Sequence, residues 1–207
     1  MATSADTRPY DIEAREADIL GKPQRVESLR EEEFSPEARA LVRDIHGTLG
    51  VESTSVPDVF GVMLRHPRLF KCQMDAGIVF FQGEISPRER ELAVLRVAWW
   101  CKAPYEWGEH VDISKRYGVT DEEVERMTQG SDAPGWSEHD RAIIRGVEEL
   151  LGEQMISDAT WDVLARTWTE AQLVEFPALV GAYFATALQQ NSLRVRLAPD
   201  NPGLSYR

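Results

Sequence analysis

A glutamate and a histidine four positions apart, in the segment PYEWGEH, are the first side chains in this sequence that suggest chemistry. At this spacing Glu106 and His110 project from one face of a helix. A second carboxylate, Glu91, lies 19 positions before His110. An imidazole titrates near neutrality, and a carboxylate beside it can fix its tautomer, raise its basicity or share in proton transfer. The pattern therefore indicates an acid–base site, with an exposed ion pair as the alternative.

A guanidinium and several aromatic side chains lie close to this group in the sequence. Arg96 could anchor a substrate carboxylate through two hydrogen bonds, although it lies about 140° around an ideal helix from Glu91. Aromatic walls suit a flat, partly apolar ligand. The predicted substrate-binding residues are Tyr105, Trp107, Arg96, Trp100 and His66. For the aromatic residues the alternative is core or interface packing, and for His66 it is a helix cap.

The segment that must position these side chains is predicted to be a helical hairpin. Its first helix, over 87–102, is nearly continuously apolar from Leu92 to Cys101, which predicts burial on most sides. Pro104 suits the first position of the second helix, over 104–117. We therefore expect the chemistry of the chain to be concentrated between Ser86 and Gly118.

The rest of the chain predicts an all-α fold. At several points a serine or threonine suited to an N-cap is followed by residues that favour the first turn of a helix. Between these helix starts, apolar residues recur three and four positions apart, as on one face of a helix. No segment alternates strictly enough to indicate a strand. We expect a single-domain bundle of about eight or nine helices over residues 34–197. Residues 1–33 are highly charged with little periodicity and are predicted to form an extended N-terminal arm, and 198–207 to form an extended tail.

Composition restricts the partners and the location. The chain has 35 acidic against 23 basic residues and a net charge of −12, which repels phosphate backbones and anionic lipid. We therefore expect neither nucleic acid nor membrane as a partner. The acidic N-terminus is unlike a signal peptide, and the uncharged run 176–193 carries several polar residues. These features predict a cytoplasmic protein.

The two cysteines, Cys72 and Cys101, are 29 positions apart. The sequence has no Cys-x-x-Cys and no cysteine–histidine spacing typical of a zinc site. Both cysteines lie in apolar surroundings, where a thiol is most often a small buried residue. We therefore expect no metal site and no disulfide.

The hairpin resembles the signature of the carboxymuconolactone decarboxylase and alkylhydroperoxidase D-like superfamily. In that family a glutamate on one helix faces a Cys-x-x-Cys-x-x-x-His, or its cysteine-free equivalent, on the next. The resemblance is carried by Glu91, by Tyr105-Glu106-Trp107 and by His110, and it extends over most of the chain as a hydrophobic pattern. Where the peroxidase branch has its two cysteines, this chain has Ala103 and Glu106. A dithiol cycle needs two thiols close enough to form a disulfide, so we do not expect thiol peroxidase activity.

The resemblance implies the decarboxylase-like branch, which works with acid–base residues alone and without a cofactor. The expected substrate is a small cyclic carboxylic acid of the lactone type. His110 would donate a proton or stabilise an enolate, Glu91 would orient or deprotonate His110, and Glu106 would relay a proton or tune the pair.

Other functions use the same residues. An isomerase, hydratase or hydrolase also needs a glutamate–histidine pair, and a non-catalytic oligomeric ligand-binding protein is the alternative from another class. These alternatives differ in whether Glu91 and His110 converge in a closed site. The surplus of aromatic residues suggests a homo-oligomer, and the resemblance implies a dimer, trimer or hexamer.

Overall fold

A computed structural model describes residues 11–49 and 57–207, and within these ranges the chain is all-helical, as predicted. The sequence predicted eight or nine helices and the described residues form ten. They are α1 (Ile12–Ile19), α2 (Pro36–Leu49), α3 (Asp58–Met63), α4 (Pro67–Phe81), α5 (Pro87–Trp100), α6 (Pro104–Arg116), α7 (Asp121–Gln129), α8 (Glu138–Glu153), α9 (Asp158–Leu164) and α10 (Glu170–Leu193).

The additional helix, α1, lies inside the segment predicted to be an extended arm. Asp11 begins it by accepting a hydrogen bond from the backbone N–H of Ala14, an N-cap that the high charge of this segment concealed. Ile19 at its end is 4% exposed. The arm is therefore not extended throughout, and its residues 1–10 lie outside the described ranges.

The C-terminal tail is also anchored by specific contacts. Gly203–Ser205 form a short 3₁₀ turn, and Leu204 is fully buried in the main core. Asn201 donates from Nδ2 to the backbone oxygen of Tyr105 at 3.0 Å. Its side chain packs so closely on Gly108 that a β-carbon there would lie 1.7 Å from Asn201 Oδ1. The tail is therefore held against α6 rather than extending from the domain.

Helix α5 lies at the centre of the bundle. Every residue from Arg90 to Ala98 is buried, and the helix packs against α6, α7, α8 and α10. It begins with a capping box in which Ser86 and Glu89 satisfy each other's backbone N–H groups, and Pro87 occupies its first turn. The predicted burial of this helix on most sides is confirmed.

A tight connection joins α5 to α6 and fixes the geometry of the hairpin. Lys102 adopts a left-handed backbone with φ 53°, and Ala103 is extended before Pro104 begins α6. The carbonyl oxygen of Cys101, at the end of α5, accepts hydrogen bonds from Arg15 at 3.4 Å and from Asn191 Nδ2 at 2.9 Å. Residues from both ends of the chain therefore hold this turn.

Helix α10 is the longest helix among the described residues. By length and composition it is also the one helix there that could cross a membrane, with a mean hydropathy of 1.3. One of its faces packs on α4, α5, α6 and α8 and includes the buried residues Leu173, Phe176 and Leu179. The expectation that the chain has no membrane span remains a prediction.

Candidate active site

The structure brings Glu91, Glu106 and His110 together in the interior of the hairpin. Nδ1 of His110 lies 2.7 Å from Oε2 of Glu91, and its Nε2 lies 3.3 Å from Oε1 of Glu106. The side chains of His110, Glu91 and Glu106 are 9%, 0% and 6% exposed. The imidazole is thus held between two buried carboxylates, which is the convergent arrangement that distinguishes a site from a surface ion pair. We call Glu91 and His110 the buried pair.

Arg90 completes the charge balance around Glu91. Its Nε donates to Glu91 Oε1 at 3.0 Å, and its Nη1 donates to the backbone oxygen of Phe81, also at 3.0 Å. Its guanidinium lies 4.1 Å from the centroid of the Phe81 ring. With only 1% of the residue exposed, Arg90 compensates a carboxylate that would otherwise be costly to bury.

Helix α10 supplies two further neighbours, although it follows the hairpin by more than fifty residues. Nε2 of Gln190 donates to Oε2 of Glu106 at 2.5 Å. The ring of Tyr183 meets the imidazole of His110 edge-on, with centroids 5.2 Å apart and an interplanar angle of 87°. Three helices, α5, α6 and α10, therefore build the site.

The two carboxylates favour the protonated form of the histidine. Burial alone would lower the pKa of His110, but the negative charge of Glu91 and the hydrogen bonds to both glutamates raise it to about 10. Burial opposes ionisation of Glu91, yet His110 and Arg90 outweigh it and lower the pKa of that carboxyl. Burial, with the nearby charges of Glu106 and Glu91, raises the pKa of Tyr183, so its hydroxyl stays protonated. Both shifts favour the imidazolium–carboxylate form of the buried pair at neutral pH.

Two predicted substrate-binding residues lie elsewhere in the bundle. Arg96 pairs with Glu148 of α8 at 2.9 Å and donates to the backbone oxygen of Met127 at 2.9 Å, on the side of α5 turned away from Glu91. His66 is exposed and caps α4, where its Nδ1 accepts from the N–H of Leu69. The prediction that both residues lie at the site was wrong. Arg96 projects from a different side of α5 than Glu91 does, and His66 caps α4.

The three predicted aromatic residues serve packing. Trp107 is fully buried against Trp99, at 4.8 Å between centroids, and its indole donates to the backbone oxygen of Tyr206. Trp100 lies 5.6 Å from the Arg96 guanidinium. Tyr105 packs in a small cluster that includes Val59 and Val195. These contacts agree with the alternative interpretation, in which the three side chains pack in the core. The aromatic ring that contacts His110 belongs to Tyr183 instead.

The cysteines do not contribute a thiol to the site. Cys72 is exposed on α4 and Cys101 is half-buried after α5, and both are free. Burial raises the pKa of Cys101 to about 12, with the charge of Glu106 adding to the effect, so its thiol stays protonated. Within the described residues, no group of three or more histidines, cysteines and acidic residues could hold a metal ion.

A second glutamate–histidine pair begins on the same helix. Nε2 of His139 lies 2.7 Å from Oε1 of Glu89, which also accepts from the indole of Trp168 at 3.2 Å. The side chains of His139 and Glu89 are 24% and 19% exposed. Since Glu89 is also the capping-box residue of α5, we call this the cap pair.

Residues 70–147, which include the buried pair and Glu106, match the family model described as "Carboxymuconolactone decarboxylase family". No curated protein matches the sequence. The fold is similar to an uncharacterised peroxidase-related protein with an alkylhydroperoxidase AhpD core from Ralstonia eutropha JMP134. That match has 15% identity and a TM-score of 0.71, over 86% of this chain and 95% of that chain.

Two further solved structures have the same fold. The debrominase Bmp8, in a cysteine-to-alanine form in complex with 2,3,4-tribromopyrrole, matches at 16% identity and a TM-score of 0.66, over 85% of this chain and 92% of that chain. An AhpD-type protein of unknown function from Agrobacterium tumefaciens matches at 18% identity and a TM-score of 0.59, over 65% and 93%. The fold is therefore that of the AhpD-like helical bundles. Within that class, the family match of residues 70–147 agrees with the resemblance that the sequence predicted for the hairpin.

Proposed function

We propose that this chain is an acid–base enzyme of the carboxy-lyase type, acting without a cofactor on a small cyclic carboxylic acid of the lactone type. The observation that carries the proposal is the imidazole of His110, held between the buried carboxylates of Glu91 and Glu106. An acid that is buried, oriented and charged at neutral pH is suited to protonating a carbanion or enolate. The match of the hairpin to the decarboxylase family supports the choice of reaction.

The two nitrogens of His110 have different roles in this proposal. Nδ1 is held by the shorter contact, at 2.7 Å, to a carboxylate with no exposure. Nε2 faces Glu106 at 3.3 Å, longer than a strong charge-assisted hydrogen bond. The proton on Nε2 is therefore the more available of the two, and Glu91 fixes the ring so that this proton points toward Glu106.

The reaction balances with these groups alone. The bond between the ring carbon and the carboxylate breaks, CO2 leaves, and the electron pair moves into the conjugated carbonyl as an enolate. His110 gives its Nε2 proton to carbon, so a new C–H bond forms and the imidazole becomes neutral. Solvent then restores the proton, with Glu106 as the relay. The substrate loses one negative charge when its carboxylate leaves as CO2 and its carbon is protonated. The site becomes more negative by one charge when His110 gives up its proton, so the total charge of the complex stays constant.

The experiment uses freshly prepared γ-carboxymuconolactone in D2O buffer with the purified protein, and measures CO2 release together with deuterium at the product carbon. We expect CO2 release well above the buffer blank and one deuterium for each CO2. Glu91→Gln keeps the shape of the site and removes the charge that stabilises the imidazolium, so its rate should fall at least about 10²-fold.

Two results would contradict the proposal. One is CO2 release no faster than the blank by folded protein. The other is a Glu91→Gln variant as active as the wild type. If deuterium enters the lactone without CO2 release, the same buried pair instead catalyses proton transfer, and the enzyme is an isomerase.

A further inference from the structure

Gln190 lies at the site with half of its amide unused. The residue is 5% exposed, and its Nε2 donates to Glu106 Oε2 at 2.5 Å. Its carbonyl oxygen, Oε1, is buried and has no hydrogen-bond partner among residues 11–49 and 57–207. A buried amide oxygen without a donor carries a free-energy cost, and such groups in native proteins call for an explanation.

The orientation of this amide follows from its neighbour. The Glu106 carboxylate can only accept hydrogen bonds, so the NH2 group of Gln190 must face it and the oxygen must point away from it. The oxygen and nitrogen of one amide are about 2.2 Å apart, which keeps Oε1 within the site. Exchanging the two atoms would place an oxygen against the carboxylate and would remove this bond.

The contacts of the neighbouring site residues are already made to other groups. Both oxygens of Glu106 are engaged, one by Gln190 and the other by His110 Nε2. Tyr183 presents its ring to the imidazole. The N–H groups of Gln190 and His110 are thus directed at Glu106, and the Gln190 oxygen is left over as an acceptor. A ligand that brings its own donor would satisfy Oε1, whereas a ligand without one would leave it unsatisfied.

We propose that Gln190 is a specificity-determining residue, whose Oε1 accepts a hydrogen bond from a hydroxyl or ring N–H of the substrate. The preferred substrate is then a small cyclic carboxylic acid that carries such a donor, and γ-carboxymuconolactone, which has none, should bind more weakly than a substrate with one. This inference rests on the proposed function only for the location of the substrate, and it concerns binding rather than turnover.

The test compares two ligands that differ in one ring atom. 5-Oxopyrrolidine-2-carboxylate has a ring N–H, and 5-oxotetrahydrofuran-2-carboxylate has a ring oxygen in its place. Neither carboxyl group is conjugated to the ring carbonyl, so neither ligand should lose CO2 and Kd can be measured by calorimetry without turnover. We expect the wild type to bind the N–H ligand about tenfold more tightly, because one extra hydrogen bond satisfies a buried acceptor.

Gln190→Met removes the amide and keeps the length of the side chain, so the tenfold preference should disappear. Gln189→Met is the matched control on the same helix, since Gln189 accepts instead from Gln73 Nε2 at 2.6 Å, and the preference should persist there. Circular-dichroism melting curves check that both variants fold.

Three results would overturn the inference: equal affinities in the wild type, a preference that survives in Gln190→Met, or no binding of either ligand. If the protein releases no CO2 from the lactone but still binds the N–H ligand more tightly, the proposed reaction is rejected. The inference that Gln190 determines ligand specificity then still stands.

Discussion

Helix α5 carries two glutamates, two residues apart, and each binds a histidine at the same distance. Glu91 meets His110 at 2.7 Å and Glu89 meets His139 at 2.7 Å. Each imidazole also meets an aromatic ring edge-on, at 5.2 Å in the buried pair and 5.4 Å in the cap pair. Judged by contact distances alone, the two pairs are equivalent.

Their surroundings are different. The cap pair is partly open to solvent, and Glu89 is also used by the backbone N–H of Ser86 and by an indole. The buried pair has a second carboxylate on the far side of its imidazole and a buried guanidinium behind Glu91. We infer that the environment, rather than the pair itself, separates a helix cap from a candidate acid.

The largest expected contrast between the pairs is in turnover. His110→Ala removes the proposed proton donor and should lower the rate of CO2 release by about 10²–10⁴-fold. His139→Ala should stay within about twofold of the wild type, because the cap pair lies outside the site. Initial rates on the same lactone measure both. Equal losses in the two variants would show that the pairs are not functionally distinct.

The second contrast concerns the arginines beside the two glutamates. Arg90→Met leaves Glu91 in the interior with one cation fewer and should lower the free energy of unfolding by about 3–5 kcal/mol. Arg88 bridges Glu123 and Asp140 and is 33% exposed, so Arg88→Met should cost about 1 kcal/mol or less. Urea denaturation of both variants measures the difference, and a larger loss for Arg88→Met would contradict this account.

The third contrast is in pH dependence. The folded pKa of His110 is raised to about 10 from an ordinary value of 6.5, so its stabilising contribution is fully present below pH 6.5 and is lost as pH rises toward 10. Between pH 6.5 and 8.5 the free energy of unfolding should fall by roughly 2 kcal/mol.

Urea denaturation at these two pH values measures that fall, and His110→Gln is the control that should remove it. A fall of the same size in His110→Gln would assign it to another group. His139→Gln, which alters only the cap pair, should retain the wild-type fall.

The smallest expected effect belongs to Glu89. Glu89→Gln removes the ionic part of the cap pair but keeps an oxygen for the backbone of Ser86, so it should cost about 1 kcal/mol of stability. Thermal melting measures this loss, with Glu84→Gln in the preceding turn as the control. A drop in CO2 release in Glu89→Gln would show that the cap pair acts on the site.

The sequence was most informative where the contacts are local. Glu106 and His110 are one helical turn apart, so their spacing indicated a shared face, and the family resemblance added Glu91 from the other arm of a short hairpin. The capping box at Ser86 and the proline at the start of α6 were equally visible. These features depend on neighbours within about twenty residues.

The residues that the sequence analysis missed depend on long-range packing. Tyr183 and Gln190 lie in the uncharged part of α10, residues 176–193, whose composition gives no sign of chemistry, and they reach the hairpin only when α10 folds back over it. Arg90 was hidden because it lies in the first turn of α5, beside residues that act as caps. Its position next to Glu91 was the one available signal, since a buried carboxylate needs compensation.

Conversely, the aromatic residues near the turn were assigned to the site because they are close in sequence. Trp100 and Trp107 point toward α8 and the C-terminal tail, because successive helical residues are about 100° apart. Proximity along a helix does not establish a shared face.

The 84-residue separation between Glu106 and Gln190 has a consequence for how the site is acquired during folding. The hairpin closes a short loop and can form early, whereas the docking of α10 must wait for a long loop to close. A refolding chain should therefore unite Glu91 with His110 first and gain Gln190 only in its final packing step. In stopped-flow refolding, binding of the N–H ligand should appear later than the helical signal.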